Sequence, residues 1–215
     1  EKIRSIQFPS DSEIQIIENN AFAGSSIESI LIPSHVTRIC EGAFSWCDLE
    51  FFEISTDSEL QVIEKDAFTG STIEIFTIPS SITELAEGWC RKTIDIRKVN
   101  IFQNKNKKFI SLYNDSLIIG KSNLSSDDFD VLLFVPHEIS EIKIPPFIKR
   151  IGSYAFSDSS IENISIPSQI THIHEGAFFD CRVLEKIEIQ EDSNLLSIGK
   201  SAFSETLINR IFIPS

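Results

Sequence analysis

The sequence has no methionine, only two tryptophans and two tyrosines, and no stretch of 18 apolar residues. The last absence means that no segment is long and apolar enough to cross a bilayer as a helix. Cations are scarce: 19 Lys and Arg stand against 32 Asp and Glu, a formal charge of −13. Nucleic-acid binding needs clustered cations that displace phosphate counterions, so that class is excluded, as is an anionic membrane surface. The charge excess serves solubility. Glycine and proline number eight each, and no stretch rich in both forms a flexible linker between separate domains. No leader-type segment is read in these residues, and a piece of a longer protein is expected to have lost one. Lacking an initiator methionine, and starting and stopping inside a repeat, the chain is expected to be a piece of a longer protein.

Chemistry-bearing motifs are equally sparse. Cys40, Cys47, Cys90 and Cys181 form no CxxC pair, and their spacing fits neither a zinc site nor a disulfide framework. They are expected as single thiols. There is no G-x-S-x-G turn, phosphate-binding loop or dinucleotide fingerprint. His172 and His174 make an H-x-H pair without a third ligand, and the acidic pairs are scattered. No catalytic residue, metal site or cofactor is expected, and the chain is not expected to be an enzyme.

What the sequence does have is phenylalanine, 17 copies, placed periodically. An Ala-Phe pair recurs at Ala21-Phe22, Ala43-Phe44, Ala67-Phe68, Ala155-Phe156, Ala177-Phe178 and Ala202-Phe203, and Gly88-Trp89 is assigned to the same slot. An Ile-Pro or Phe-Pro token keeps step at Phe8-Pro9, Ile32-Pro33, Ile78-Pro79, Ile144-Pro145, Ile166-Pro167 and Ile213-Pro214. Two independent tokens in phase define a unit of about 23 residues, which marks a stacked-repeat architecture. Leu184-Glu185-Lys186-Ile187-Glu188-Ile189 alternates with period two, as a half-buried strand does. The proline that usually follows lacks the N–H to continue a ladder and stops the strand. Ile170-Thr171-His172-Ile173 predicts a second, shorter strand on another face, and Ala-Phe predicts a tight helical turn with the ring in the core. One such unit cannot bury its own apolar face, so units must stack and form ladders of like residues. A second subtype carries Asp-Ser at Asp11-Ser12, Asp57-Ser58 and Asp192-Ser193, which predicts a side-chain-capped turn.

The run Leu-x-x-Ile-x-Ile-Pro, then Ile-Thr-x-Ile, then Ala-Phe-x-x-Cys resembles the BspA-like class of leucine-rich repeats, best from Leu49 to Phe68 and from Ile161 to Cys181. The resemblance covers about 80 % of the chain by the count of matching units. The asparagine that usually follows a leucine-rich-repeat strand is replaced by proline, which argues against a horseshoe with full convex helices. The resemblance implies a mainly β leucine-rich-repeat solenoid: stacked parallel strands, short helical turns at the Ala-Phe steps and, where the tokens lapse, a central β-hairpin island. It also implies a surface location on a bacterium or mucosal parasite, attachment to host matrix or cells, and no catalysis.

The tokens lapse between Ile94 and Val131, where Phe109–Tyr113 and Leu117–Gly120 flank Asn114-Asp115-Ser116, a strand–turn–strand pattern preceded by Lys105, Lys107 and Lys108. Three segments are expected in one continuous solenoid: repeats over 1–93, an irregular insert over 94–131 and repeats over 132–215. Cys47 and Cys181 share the slot three residues after Phe and lie too far apart to be bridged, whereas Cys40, in a slot shared with Gly152, His174 and Gly199, is expected to be the exposed thiol. Asn114, Asn123 and Asn163 each begin an N-x-S sequon.

Partner binding would use the outward positions of the main strand. Leu31, Phe51 and Ile75 are apolar there on three successive strands and should form one patch; Glu53 and Thr77 lie beside them. Lys186, Glu188 and Arg210 make a mixed-charge face farther along. The expected role is a surface adhesion or recognition module whose sheet face binds a host protein or glycan. Two alternatives stay open: an intracellular, cytoplasmic scaffold joining protein partners, and a passive spacer. Whether the insert covers the apolar patch also stays open.

Overall fold

The computed structural model describes residues 3–9, 11–93, 95–102, 109–123, 125 and 127–214; Lys105, Lys107 and Lys108 lie outside the described residues. The chain divides into two compact units, Glu1–Phe109 and Ile110–Ser215. Strands are numbered in chain order, and no α-helix occurs among the described residues.

Unit 1 repeats one rung. Its main sheet is built from β1 (Ser5–Ile6), β3 (Ser29–Ile32), β5 (Phe51–Ile54), β7 (Ile75–Ile78) and β9 (Lys98–Ile101), all parallel. Hydrogen bonding joins β1-β3-β5 and β7-β9 as separate ladders. Beside the break, Thr72 Oγ1 donates to the Leu49 carbonyl at 3.1 Å, and Phe52 stacks on Phe76 at 5.2 Å across it. A second sheet runs through β2 (Ile16–Ile17), β4 (Arg38–Ile39), β6 (Val62–Ile63) and β8 (Glu84–Leu85).

The Thr of the Ile/Val-Thr token has a specific task at the entry to this second strand. Thr37 Oγ1 donates to Gln15 O at 3.1 Å and Thr83 Oγ1 to Gln61 O at 3.2 Å, tying each rung to the one before. Thr171 does the same in unit 2, to Lys149 O at 3.1 Å. Where proline ends a main strand, its carbonyl accepts the amide three residues on, as in Val36 N to Pro33 O. In the Asp-Ser subtype it is the serine that caps: Ser58 Oγ and Ser193 Oγ each accept the amide two residues on, at 3.2 Å.

The Ala-Phe steps are successive tight turns rather than helices. Alternate amides bond within the rung and to the next rung: Ala23 N to Asn20 O, then Phe22 N to Ala43 O and Gly24 N to Ser45 O. Two residues before and after each Phe, the backbone is left-handed, as at Asn20, Gly24, Gly42, Trp46, Asp66 and Gly70. Phe44, Phe68, Phe156 and Phe178 are wholly buried. Phe22, Phe44 and Phe68 stack at 5.3 and 5.4 Å.

The fourth rung corrects the sequence register by one residue. Its left-handed positions are Gly88 and Lys92, and Phe68 N bonds to Trp89 O, so Trp89 stands in the alanine slot and Cys90 in the aromatic slot. Large and small have exchanged places. Trp89 reaches the core from the neighbouring position, 4.6 Å from the Phe76 ring, while the smaller thiol takes the place of a ring. Cys40 is also corrected: it is buried, because its slot continues the second-sheet ladder, with Cys40 N on Ile17 O. In the same slot a Cβ on Gly199 would lie 2.5 Å from the His174 carbonyl carbon, so this position is crowded rather than free.

Unit 2 uses the same rung. Its main sheet holds β14 (Asn163–Ile166) and β16 (Lys186–Ile189). Its second sheet has order β10 (Ile110–Tyr113), β11 (Leu117–Gly120), β12 (Val131–Phe134), β13 (Arg150–Ile151), β15 (His172–Ile173) and β17 (Ser197–Ile198). The hairpin β10-β11 is antiparallel and pairs through β11 with β12, which then joins β13 in parallel. Its turn places Asn114 and Asp115 at φ 51° and 56°, a backbone those two residue types tolerate.

Candidate partner-binding face

Alternation along the main strands of unit 1 sets the face. Ile30, Phe52 and Phe76 point inward and are buried, so their neighbours must point out. Leu31 is 54 %, Phe51 61 % and Ile75 55 % exposed. Pairing sets Ser29 beside Phe51 and Leu31 beside Glu53, and then Ile75 beside Lys98 and Thr77 beside Asn100. The three apolar groups lie on three successive rungs, Phe51 and Ile75 at the same strand position and Leu31 two residues further along its strand, with Glu53 exposed and Thr77 half-buried next to them.

A trough of about 810 Å³ opens over the first three rungs. Ser29, Leu31, Phe51 and Glu53 contribute from the strands, and Pro33, Ser55 and Asp57 from the turns that follow them. The Asp57 carboxyl is held below its ordinary value by the Ser55 hydroxyl, which donates to it, and by a backbone amide.

Glu28, Glu50 and Glu74 occupy the position just before the first outward residue on three successive rungs, and all are exposed. Glu50 N bonds to Glu28 O at 2.9 Å, which puts those two residues side by side. The sequence reading passed over these glutamates. Their signal was a Glu at the same repeat position three times running. Trp46 was also passed over: it is 59 % exposed, at φ 58°, and its ring sits where a Cβ on Gly70 would lie at 2.5 Å.

The corresponding face of unit 2 is polar. Pairing sets Asn163 beside Lys186 and Ser165 beside Glu188 around a pocket of about 380 Å³. The Lys186 ammonium contacts the Glu188 carboxylate, both exposed. Such a pair contributes little to stability. Arg210 is exposed but lies in no assigned strand, and no ladder aligns it with Lys186.

The other sequence candidates hold structure. Cys47 Sγ donates to Phe22 O at 3.0 Å and Cys181 Sγ to Phe156 O at 2.9 Å, each on the preceding rung. Thr93 Oγ1 fills the same role toward Phe68 O at 2.6 Å. Burial pushes the Cys47 thiol up and the Cys181 thiol to about 11. All four cysteines are free and buried. His172 and His174 flank buried Ile173, and His172 Nδ1 lies 2.8 Å from Thr171 Oγ1. Among the described residues no group of three or more His, Cys, Asp or Glu is placed to hold a metal ion, and no helix is long and apolar enough to cross a membrane.

A rung of two short parallel strands closed by a turn that buries one aromatic ring, stacked on copies of itself, is a leucine-rich-repeat solenoid of the mainly β kind. The chain belongs to the BspA type leucine-rich repeat family, whose repeat it matches in six copies over residues 1–121 and 133–215. Repeats of this class generally act as non-enzymatic, protein-binding scaffolds.

No curated protein matches the chain. Among solved structures, the pneumococcal vaccine antigen PcpA is similar at 22 % identity and a TM-score of 0.81, over 92 % of this chain and 53 % of that one. A leucine-rich cell surface protein of Faecalibacterium prausnitzii is 23 % identical with a TM-score of 0.72, over 87 % and 48 %. A leucine-rich-repeat protein of Eubacterium ventriosum is 22 % identical with a TM-score of 0.66, over 88 % and 54 %. The chain thus spans about half the length of each, and at these identities the likeness is one of fold.

Proposed function

We propose that the chain is a recognition module of a cell-surface protein and that it binds a host matrix or cell-surface macromolecule through the main sheet of unit 1. The observation that carries this reading is the exposed trio Leu31, Phe51 and Ile75, the first two of which line an open trough. A solvated sheet face alternates with polar residues, and apolar side chains adjoining on three rungs are costly to leave in water unless something covers them. Exposed aromatic and aliphatic groups of this kind become contact centres when a partner excludes water from them. Two neighbours described as a cell surface protein and a vaccine antigen support the surface location. Lys186, Glu188 and Arg210 are secondary contacts in this reading.

The test is a triple variant, Leu31→Ser, Phe51→Ser and Ile75→Ser. All three side chains are exposed, so the fold should stand, checked by an unchanged circular dichroism melt. Retention on immobilised fibronectin, fibrinogen, laminin and intact epithelial cells should fall at least about tenfold, the equivalent of ~1.4 kcal/mol. Full retention by the triple variant rejects the unit 1 face as the binding surface. Retention by neither protein favours the spacer reading.

A further inference from the structure

Resting on the sheet-face reading above, we infer that the occupant of the unit 1 face is a short extended polypeptide segment carrying both apolar and cationic side chains, the latter set against Glu50, Glu53 and Glu74. The charge arrangement carries the inference. Glu50 stands between Glu28 and Glu74 on adjoining rungs, spaced at about 4.8 Å per stacked strand. Glu28, Glu50 and Glu74 each lie just before a main strand, and like charges on adjoining rungs repel, so a cation facing the column relieves it.

Among the described residues, the cations of this face stand at its two ends. Arg4, on the first rung, approaches Glu28 at 3.7 Å. Arg97 and Lys98 lie on the fifth rung, where their amides bond to Glu74 O. The three middle rungs hold Glu28, Glu50, Glu74 and Glu53, with Asp57 on the turn beside them, and bring no Lys or Arg to the face. Among the described residues, no cation lies within ion-pair distance of Glu50, Glu53 or Glu74. These carboxylates are strung along the sheet rather than converging, so a single metal ion does not answer them.

The apolar trio runs through the middle of the acidic zone, so one ligand must satisfy both. A polyanion is repelled, and a polar glycan leaves Leu31 and Ile75 without apolar partners. A peptide with alternating apolar and Lys or Arg residues meets both demands. From the Leu31 rung to the Ile75 rung is two stacking steps, about 10 Å, which about three extended residues cover, and five or six with their flanks.

The test uses the full 215-residue chain and three panels of fluorescein-labelled hexapeptides. All panels alternate Leu, Phe or Val with a variable residue, which is Lys, Gln or Glu. Binding is read by fluorescence anisotropy. The expected result is a preference of about tenfold or more for the Lys panel over the Gln panel at low salt, narrowing as salt screens the charges. That preference should vanish in a Glu50→Gln, Glu53→Gln, Glu74→Gln variant, and binding should be lost in Phe51→Ser. Equal binding of Lys and Gln panels that still depends on Phe51 overturns the charge inference and leaves the sheet-face reading standing. Lys-panel binding indifferent to Phe51→Ser overturns both. If the intact chain is retained by matrix or cells through Leu31, Phe51 and Ile75 while no hexapeptide binds, the linear segment is wrong and the face is right.

Discussion

Unit 1 and unit 2 share one rung but differ in the chemistry of the face it carries. At the same strand positions unit 1 exposes Phe51 and Leu31, whereas unit 2 exposes Asn163, Ser165, Lys186 and Glu188. Inward, the contrast is one of aromatic content. In unit 1 Phe52 and Phe76 add a second column of rings beside Phe44 and Phe68, while unit 2 has Ile164 and Ile187 in those strand positions. The backbone thus tolerates wide variation inside and out, provided that turns and ladders are kept. Variation outside is free to serve binding because it is not needed for folding.

The largest expected effect concerns the core. Phe68→Ala and Phe178→Ala should each cost about 3–5 kcal/mol in urea unfolding, as buried ring deletions do. Among the described residues, Phe68 contacts four aromatic partners at 4.8 to 6.0 Å and Phe178 contacts Phe156 and Phe203 at 4.7 and 5.4 Å. Phe68→Ala should therefore be the more costly by about 1 kcal/mol or more. Equal losses would show that ring geometry adds nothing to burial and would erase the inner contrast between the units.

A middle-sized effect sits at the turns, where a large side chain on one rung leans over a glycine on the next. A Cβ on Gly70, at φ 66°, would meet Trp46 at 2.5 Å, and one on Gly176, at φ 59°, would meet Tyr154 at 2.3 Å. Left-handed backbone alone costs an L-residue about 1–2 kcal/mol. Gly176→Ala should cost more than Gly70→Ala, because the Tyr154 hydroxyl is tied to Glu175 at 3.3 Å whereas Trp46 is free to swing outward into solvent. Thermal melts check the order, and adding Trp46→Ala should recover part of the Gly70→Ala loss.

The smallest effect compares Cys47 and Cys181, which hold one slot in the two units. Burial raises both thiols, Cys181 to about 11 from an ordinary 9. A thiol raised in the folded state keeps its proton while the unfolded one loses it. Stability from Cys181 is therefore complete below pH 9 and declines as pH rises from 9 towards 11. Cys181→Ser should flatten that decline in denaturant midpoints. A profile unchanged by the substitution would mean that the thiol titrates normally. At pH 8 a thiol reagent should leave both cysteines unmodified in the native protein.

Much of the fold was legible because a stacked repeat writes its core into the sequence again and again. Phe44, Phe68, Phe156 and Phe178 were placed inside by periodicity, and Leu31, Phe51 and Ile75 outside by alternation. The exchange of Trp89 and Cys90 was not legible, since the Ala-Phe token reads residue type, whereas the register follows the left-handed positions Gly88 and Lys92. Nor was the burial of Cys40, which depends on a neighbouring rung's backbone. The hairpin could be read locally, but its attachment to β12 could not, because antiparallel pairing with a strand ten residues on leaves no periodic trace. The acidic column was not legible locally, because Glu28, Glu50 and Glu74 come together only when their rungs stack.

By itself the sequence determined the rung: its length, its strand and turn order, and which side chains of the main strand face inward, all following from backbone periodicity and the need to bury apolar groups. The tertiary structure alone decided what lies beside what across rungs. Glu50 beside Glu28, Trp46 over Gly70 and the Cys181 thiol on Phe156 O join residues 22 to 25 positions apart. Such pairings depend on how one rung settles on the next, which no local pattern encodes.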